Sequence, residues 1–217
     1  MKSAVKGYQG DGFEVTYDIR RCIHAEQCVN GLPKVFDRDR KPWVDPTQGD
    51  RDEIAAVVRL CPTGALKLML PDGSVAEPVP ETNVVRVGPD GPLYATGDIE
   101  LVDHEGTLLL RDTRIGFCRC GLSANKPLCD DSHYDQFSDP GSLAEMSSTG
   151  DTDESGGRLK FTARLNGPLV FEGAVEIVGD DGSRVQKSKG AFCRCGGSQK
   201  KPFCDGTHKR IGFTTEQ

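Results

Sequence analysis

The chain has 217 residues, a formal net charge of −6 and nine cysteines. That surplus of acid excludes nucleic acid as a partner, because phosphate needs a basic surface; no apolar run approaches the roughly 18 residues of a membrane span and no secretory apolar region follows Met1, so a cytoplasmic protein without membrane contact is expected. In a reducing compartment, cysteines kept in such number and in odd count are metal ligands or redox groups rather than disulfide partners.

Phe13 to Arg20 alternates apolar and polar residues, the period of a half-buried strand, and leads into Cys22. Asp50 and Glu53 form a capping-box pattern ahead of Ile54, Val57, Val58 and Cys61, which fall at i, i+3, i+4 and i+7 of a helix. Cys61 then sits on the inward face of the last turn, and Pro62 and Gly64 stop the helix. From Pro71 to Gly91, Pro, Gly and Asp surround a short strand-like stretch, Val84 to Val87, which reads as a linker that adds one strand. Beyond it the chain repeats itself. Residues 91–106 align without a gap on 167–182, sharing Gly91/Gly167, Pro92/Pro168, Leu93/Leu169, Gly97/Gly173, Glu100/Glu176, Val102/Val178 and Gly106/Gly182. Each copy reads as short strands with glycine turns leading into a cysteine loop, and Ser138 to Gly157, rich in Ser, Gly and acid, reads as the connector between copies.

The cysteine loops are one pattern written twice. Cys118, Cys120, Cys129 and His133 read C-x-C-x8-C-x3-H, and Cys193, Cys195, Cys204 and His208 repeat it. Three thiolates and one imidazole satisfy a tetrahedral zinc ion, which is the bland reading; zinc sites of this kind usually space their pairs as C-x2–4-C, and a single intervening residue suits a cluster that spreads four ligands over two irons. Asp130 and Asp205 follow the third cysteine and suit an N-cap, which would start a short helix with its positive end toward the site. Arg119 and Arg194, between the first two ligands, read either as an offset to cluster charge or as duplicated surface residues. Lys126, Lys200 and Lys201 read as solvated or as a dock for an acidic redox partner.

With Ser123 and Pro127 in the first copy and Ser198 and Pro202 in the second, both loops resemble the CDGSH iron–sulfur domain family, over about 91–134 and 167–215. That resemblance implies one [2Fe–2S] cluster per copy, with Cys118 and Cys120 on the inner iron, Cys129 and His133 on the outer one, and Cys193, Cys195, Cys204 and His208 in the same roles. Single-motif members form homodimers, which implies here a monomer whose two copies pair within the chain. One departure is Asp131, which stands where the family signature has glycine; a side chain there costs something if the backbone needs positive φ.

Cys22, Cys28 and Cys61-Pro62 resemble a ferredoxin motif whose middle cysteine would fall at Ala25. The resemblance implies a ferredoxin-like mono-cluster domain holding [3Fe–4S], or [4Fe–4S] if His24 supplies the fourth ligand; three structural cysteines in an empty fold is the alternative. His104, in a turn of the first repeat, receives no role. The expected chain is α+β: a ferredoxin-like domain (1–72), a linker (73–90), a first β-rich module (91–137), a connector (138–157) and a second module (158–217). Domains this small bury limited cores, and metals serve as their staples. No phosphate loop, nucleophile–base pair or dinucleotide fingerprint is written, so no enzyme activity is expected. The expected function is electron transfer to redox partner proteins, with cluster donation to apo-acceptor proteins or redox and pH sensing as the alternative.

Overall fold

The computed structural model describes residues 5–143 and 156–215. The expected connector therefore lies, from 144 to 155, outside the described residues. The chain is mainly β with few helices, and it divides into two compact units, Met1–Pro78 and Val79–Gln217.

The first unit is a three-stranded antiparallel sheet in the order β1 (Val5–Gln9), β2 (Glu14–Asp18), β3 (Leu66–Met69). The strand read over 13–20 is β2, and after it a 3-10 turn, Ile19–Arg21, presents Cys22. A short helix α1 (Gln27–Gly31) carries Cys28. Helix α2 (Arg51–Arg59) starts at the anticipated capping box, with Asp50 accepting from the Asp52 backbone and Glu53 from the Asp50 backbone. Its inward residues Ile54 and Val58 pack with Val15, Val35, Phe36, Leu66 and Leu68 in one core, each burial worth about 1.5–3 kcal/mol before entropy is counted. Trp43 closes one side of that core against Tyr8, Tyr17 and Phe36.

The second unit is one six-stranded sheet made from two like halves. Strands β4 (Val84–Val87), β5 (Leu93–Val102) and β6 (Leu108–Phe117) form the first; β7 (Arg158–Ala163), β8 (Leu169–Val178) and β9 (Arg184–Phe192) form the second. Each half makes a long hairpin, β5 with β6 and β8 with β9. The two short strands share one slot. On its side away from β6, β5 pairs antiparallel with β4 over Leu93–Thr96 and then parallel with β7 over Asp98–Val102. Likewise β8 pairs antiparallel with β7 and parallel with β4. Thus β4 and β7 lie end to end between β5 and β8, and each half lends a strand edge to the other.

Where the two short strands begin, the sheet needs special residues. Gly97 (φ +152°) and Gly173 (φ +117°) occupy the register shifts of β5 and β8. A Cβ at Gly97 would overlap the Asn83 amide, and one at Gly173 the Arg158 carbonyl. Asn83, 1% exposed, fills the junction: its Nδ2 donates to Gly157 O and Ala174 O, both at 2.9 Å, and its Oδ1 accepts from Asp98 N at 3.1 Å. The core beneath repeats the duplication, with Phe117 and Phe192, Leu93 and Leu169, Ile99 and Val175, and Leu101 and Ile177 all buried in one cluster.

Candidate metal centres

Each C-x-C loop begins where the last strand of a half ends. Cys118 N donates to Pro127 O (3.0 Å) and Cys129 N to Gly116 O (2.9 Å), so the loop returns antiparallel to β6; in the second half Cys193 N bonds Pro202 O and Cys204 N bonds Ala191 O, both at 2.8 Å. Ser123 Oγ donates to Leu128 O (2.7 Å), and Ser198 Oγ to Phe203 O (2.7 Å). Asp130 accepts from Ala124 N (2.8 Å) and Asp205 from Gln199 N (2.9 Å). The signature serine and aspartate are thus loop fasteners. They do not cap a helix in the expected way. The second copy's helix, α3 (Thr207–Arg210), has Gly206 as its N-cap in the left-handed region, with Asp205 reaching Thr207 N from outside it (2.9 Å), and residues 131–136 of the first copy form only turns. The correction follows from backbone shape: φ at Gly206 is +86° and at Asp131 +78°, which puts the chain reversal one residue after the aspartate. Asp131 does occupy the strained position that its residue type foretold.

The donors stand in pairs. Cys118 Sγ lies 3.5 Å from Cys120 Sγ and Cys193 Sγ 3.7 Å from Cys195 Sγ; Cys129 Sγ lies 3.4 Å from His133 Nδ1 and Cys204 Sγ 3.3 Å from His208 Nδ1. Two thiolates bound at about 2.3 Å to one tetrahedral metal stand roughly 3.8 Å apart, and a thiolate and an imidazole nitrogen roughly 3.6 Å. All four pairs fit two ligands of one metal. Among the described residues no three His, Cys, Asp or Glu side chains are gathered closely enough to hold a single ion. Of these donors Cys118, Cys120, Cys129, Cys193 and His133 are buried.

Protonation tells the same story. The hydrogen bond from Cys120 brings Cys118 down to about 6 against the upward push of burial, with the Ser123, Gly121 and Cys120 backbone N–H groups assisting. Burial pushes Cys129 up to about 12 and Cys195 up to about 11, and raises Cys204 as well. The raised thiols Cys129, Cys195 and Cys204 are poor nucleophiles in water, and a bound metal would ionise them.

Arg119 and Arg194 are not surface residues: they are 1% and 4% exposed. Arg119 bonds Gly91 O (2.7 Å), Gly88 O (2.5 Å) and the Asp139 carboxylate, and lies over the Phe137 ring at 4.9 Å. Arg194 bonds Gly167 O (2.8 Å) and Arg164 O and lies over Phe213 at 5.9 Å. Burial lowers the Arg194 guanidinium to about 10, which leaves it cationic at neutral pH. Each arginine therefore ties its ligand loop to the turn before the hairpin. Lys126 and Lys201 are likewise drawn in, donating to Ser123 O (2.6 Å) and Ser198 O (2.7 Å), while Lys200 remains exposed. The two ligand loops also meet: a Cβ at Gly121 would come within 2.9 Å of Cys195 O, and one at Gly196 would overlap Cys120 O. Only glycine admits that approach.

In the first unit Cys22, Cys28 and Cys61 line one cavity of about 720 Å³ together with Tyr17, His24 and Trp43. Burial raises the Cys28 thiol. Burial also pushes the Tyr17 phenol far up, helped by its hydrogen bond to Cys22. Three thiols around a space of this size, too far apart for one ion, suit a polynuclear group. Ala25, at the place of the absent cysteine, and His24 (φ +52°) both border the cavity. His104 is exposed in the turn between β5 and β6. Sequence reasoning missed Asn83, Asp139 and the facing glycines Gly121 and Gly196. The one available signal was that an arginine between two ligands calls for a partner to satisfy it.

Comparison with known proteins follows this division. Residues 8–71 match the family described as divergent 4Fe-4S mono-cluster, and residues 90–134 and 166–209 each match the iron-binding zinc finger of CDGSH type. Two relatives, the uncharacterized proteins YjdI of Escherichia coli strain K12 and of Escherichia coli O157:H7, are each 38% identical over 60 residues, 28% of this chain and 79% of theirs.

Proposed function

We propose, for a chain that belongs to the CDGSH-type iron-binding family and carries a divergent 4Fe-4S mono-cluster domain ahead of its tandem modules, that it is an electron carrier with a [2Fe–2S] cluster in each module. A third cluster, [3Fe–4S] or [4Fe–4S], belongs in the ferredoxin-like first unit. The observation that carries the reading is the pairing of donors, Cys118 with Cys120 and Cys129 with His133, at the spacing of two ligands per metal, repeated in the second module. When bound, such a centre stores one electron between ferric and ferrous iron. The chain's own part is to hold it. Cys118 and Cys193, 1% exposed each, keep water from the inner side, while His133 and His208 present a neutral nitrogen in place of a fourth thiolate, which favours the reduced state relative to an all-cysteine site.

We read the shared strand slot as an intramolecular pseudo-dimer and the chain as a monomer. The partners in this reading are redox proteins in a reducing, cytoplasmic setting, and no enzymatic step is assigned. Iron, zinc and acid-labile sulfide per chain, measured on anaerobically purified protein, test it. About four irons with four sulfides mean two clusters beside an empty first unit, and about seven or eight mean three clusters. Zinc without sulfide overturns the reading. Reversible reduction without loss of iron supports the carrier; rapid transfer of iron and sulfide to an apo-ferredoxin supports the cluster donor instead.

A further inference from the structure

The two modules share a plan, and their surroundings differ in one consistent direction. In the first, Asp90 and Asp139 clasp each other: Asp90 N donates to Asp139 O (2.8 Å) and Asp139 N to Asp90 Oδ1 (2.6 Å). In the second the same two-way clasp is made by Asn166 and Thr215, with Asn166 N donating to Thr215 Oγ1 (3.1 Å) and Thr215 N to Asn166 Oδ1 (2.8 Å). The backbone matches as well, with φ of +48° at Asp90 and +47° at Asn166. The first clasp puts the Asp139 carboxylate on the buried Arg119, whereas Asn166 and Thr215 have no carboxylate to offer Arg194.

The divergence continues around the histidine. Asp131 Oδ1 stands 3.7 Å from His133 Nε2, where the second copy has Gly206. Tyr134 and Asp135 follow His133, and Lys209 and Arg210 follow His208; Asn125 corresponds to Lys200. So Asp90, Asp131, Asp135 and Asp139 stand where the second copy has no acid, and Lys200, Lys209 and Arg210 stand where the first has no base. The Lys201 ammonium, 3.9 Å from Asp139 Oδ2, offsets part of one of these charges. An electron added among carboxylates is opposed and one added among cations is favoured, most strongly where water is excluded.

We propose that the two centres are unequal in reduction potential: the one held by Cys193, Cys195, Cys204 and His208 is the electron's resting place, and the one held by Cys118, Cys120, Cys129 and His133 is its low-potential donor. This rests on the reading of both sites as iron–sulfur centres. With both clusters bound, an external low-potential one-electron carrier protein would reduce the first centre, which would be reoxidised as its electron passed to the oxidised second centre, with no bond made or broken. The facing loops, Gly121 on the Cys195 carbonyl and Gly196 on the Cys120 carbonyl, bring the backbones of the two sites together.

The test is an anaerobic reductive titration of the full chain, followed by visible absorption and electron paramagnetic resonance, with iron and sulfide measured on the same sample. Two one-electron waves are expected, at least tenfold apart in occupancy, which is about 59 mV. His208→Cys is expected to lower the upper wave and His133→Cys the lower one. Cys61→Ser identifies any wave from the first unit. The combined variant Asp90→Asn, Asp131→Gly, Asp139→Thr copies the second module's own residues and so preserves the clasp; it is expected to raise the lower wave toward the upper one. Coincident waves in a protein with both sites loaded, the reverse assignment, or a combined variant that moves neither wave would overturn the proposal. Absent sulfide would instead sink the iron–sulfur reading before any titration began.

Discussion

Replacing Asn83 with alanine removes three hydrogen bonds from a junction between the two halves of the second unit. The side chain is 1% exposed, and its bonds to Gly157 O, Ala174 O and Asp98 N are 2.9, 2.9 and 3.1 Å long. Each such bond contributes about 1 kcal/mol net, and each partner left dry and unpaired costs about 1–3 kcal/mol. Because these figures overlap, the whole loss is about 3–5 kcal/mol, a large fraction of the roughly 5–15 kcal/mol that holds an ordinary domain. Urea unfolding of the second unit, followed by the visible circular dichroism of the loaded protein, reads it directly. With a slope of about 2 kcal/mol/M, the midpoint falls by about 2 M. The only tryptophan, Trp43, lies in the first unit, so its fluorescence gives an internal reference for that unit. A midpoint shift below about 0.5 M, equivalent to about 1 kcal/mol, would refute the argument that Asn83 joins the halves.

Acid should weaken the same sheet in a way that one residue reports. Glu100 is held below the usual carboxylate range by the Arg111 guanidinium (2.7 Å), with Arg158 adding to the effect (3.4 Å). A depressed carboxylate stabilises the fold fully above its unfolded value of about 4.3 and loses that contribution as the pH falls through its lower folded value. The difference in urea midpoint between wild type and Glu100→Gln should therefore shrink from pH 6 to pH 3, and a difference that stays constant would contradict the assignment. In the first unit, Ala25→Cys places a thiol at the vacant edge of the cavity. Iron should rise from about seven to about eight per chain; a wild type already at eight would mean that a fourth ligand is in place, with His24 the residue positioned to be it.

The paired cysteine and histidine donors were legible because their close pairing follows from a short spacing, and spacing is what a sequence displays directly. Alternation gave β2, and the capping box gave α2, since both signals are local. The shared slot was not legible: Val84–Val87 carries the composition of any short strand, and nothing within it tells that it will pair parallel with residues 176–178, some ninety positions on. The Asp90–Asp139 clasp spans a separation of 49 residues and follows no motif. The expected helix cap at Asp205 failed for a local reason, since the glycine after it turns the backbone before the helix begins. Conversely, Asp131 was marked by its departure from glycine, and the strain that departure implied is present in its positive φ.

The end-to-end placement of β4 and β7 ties the two copies into one sheet. Were the chain to end before Arg158, β5 would expose an unpaired edge over Asp98–Val102, an invitation to pair with another molecule. Within this chain each copy completes the other's sheet, a task that would otherwise fall to a second molecule. Held by that geometric bond, the twins keep the same spacing of cysteine and histidine and differ in the charges set around it.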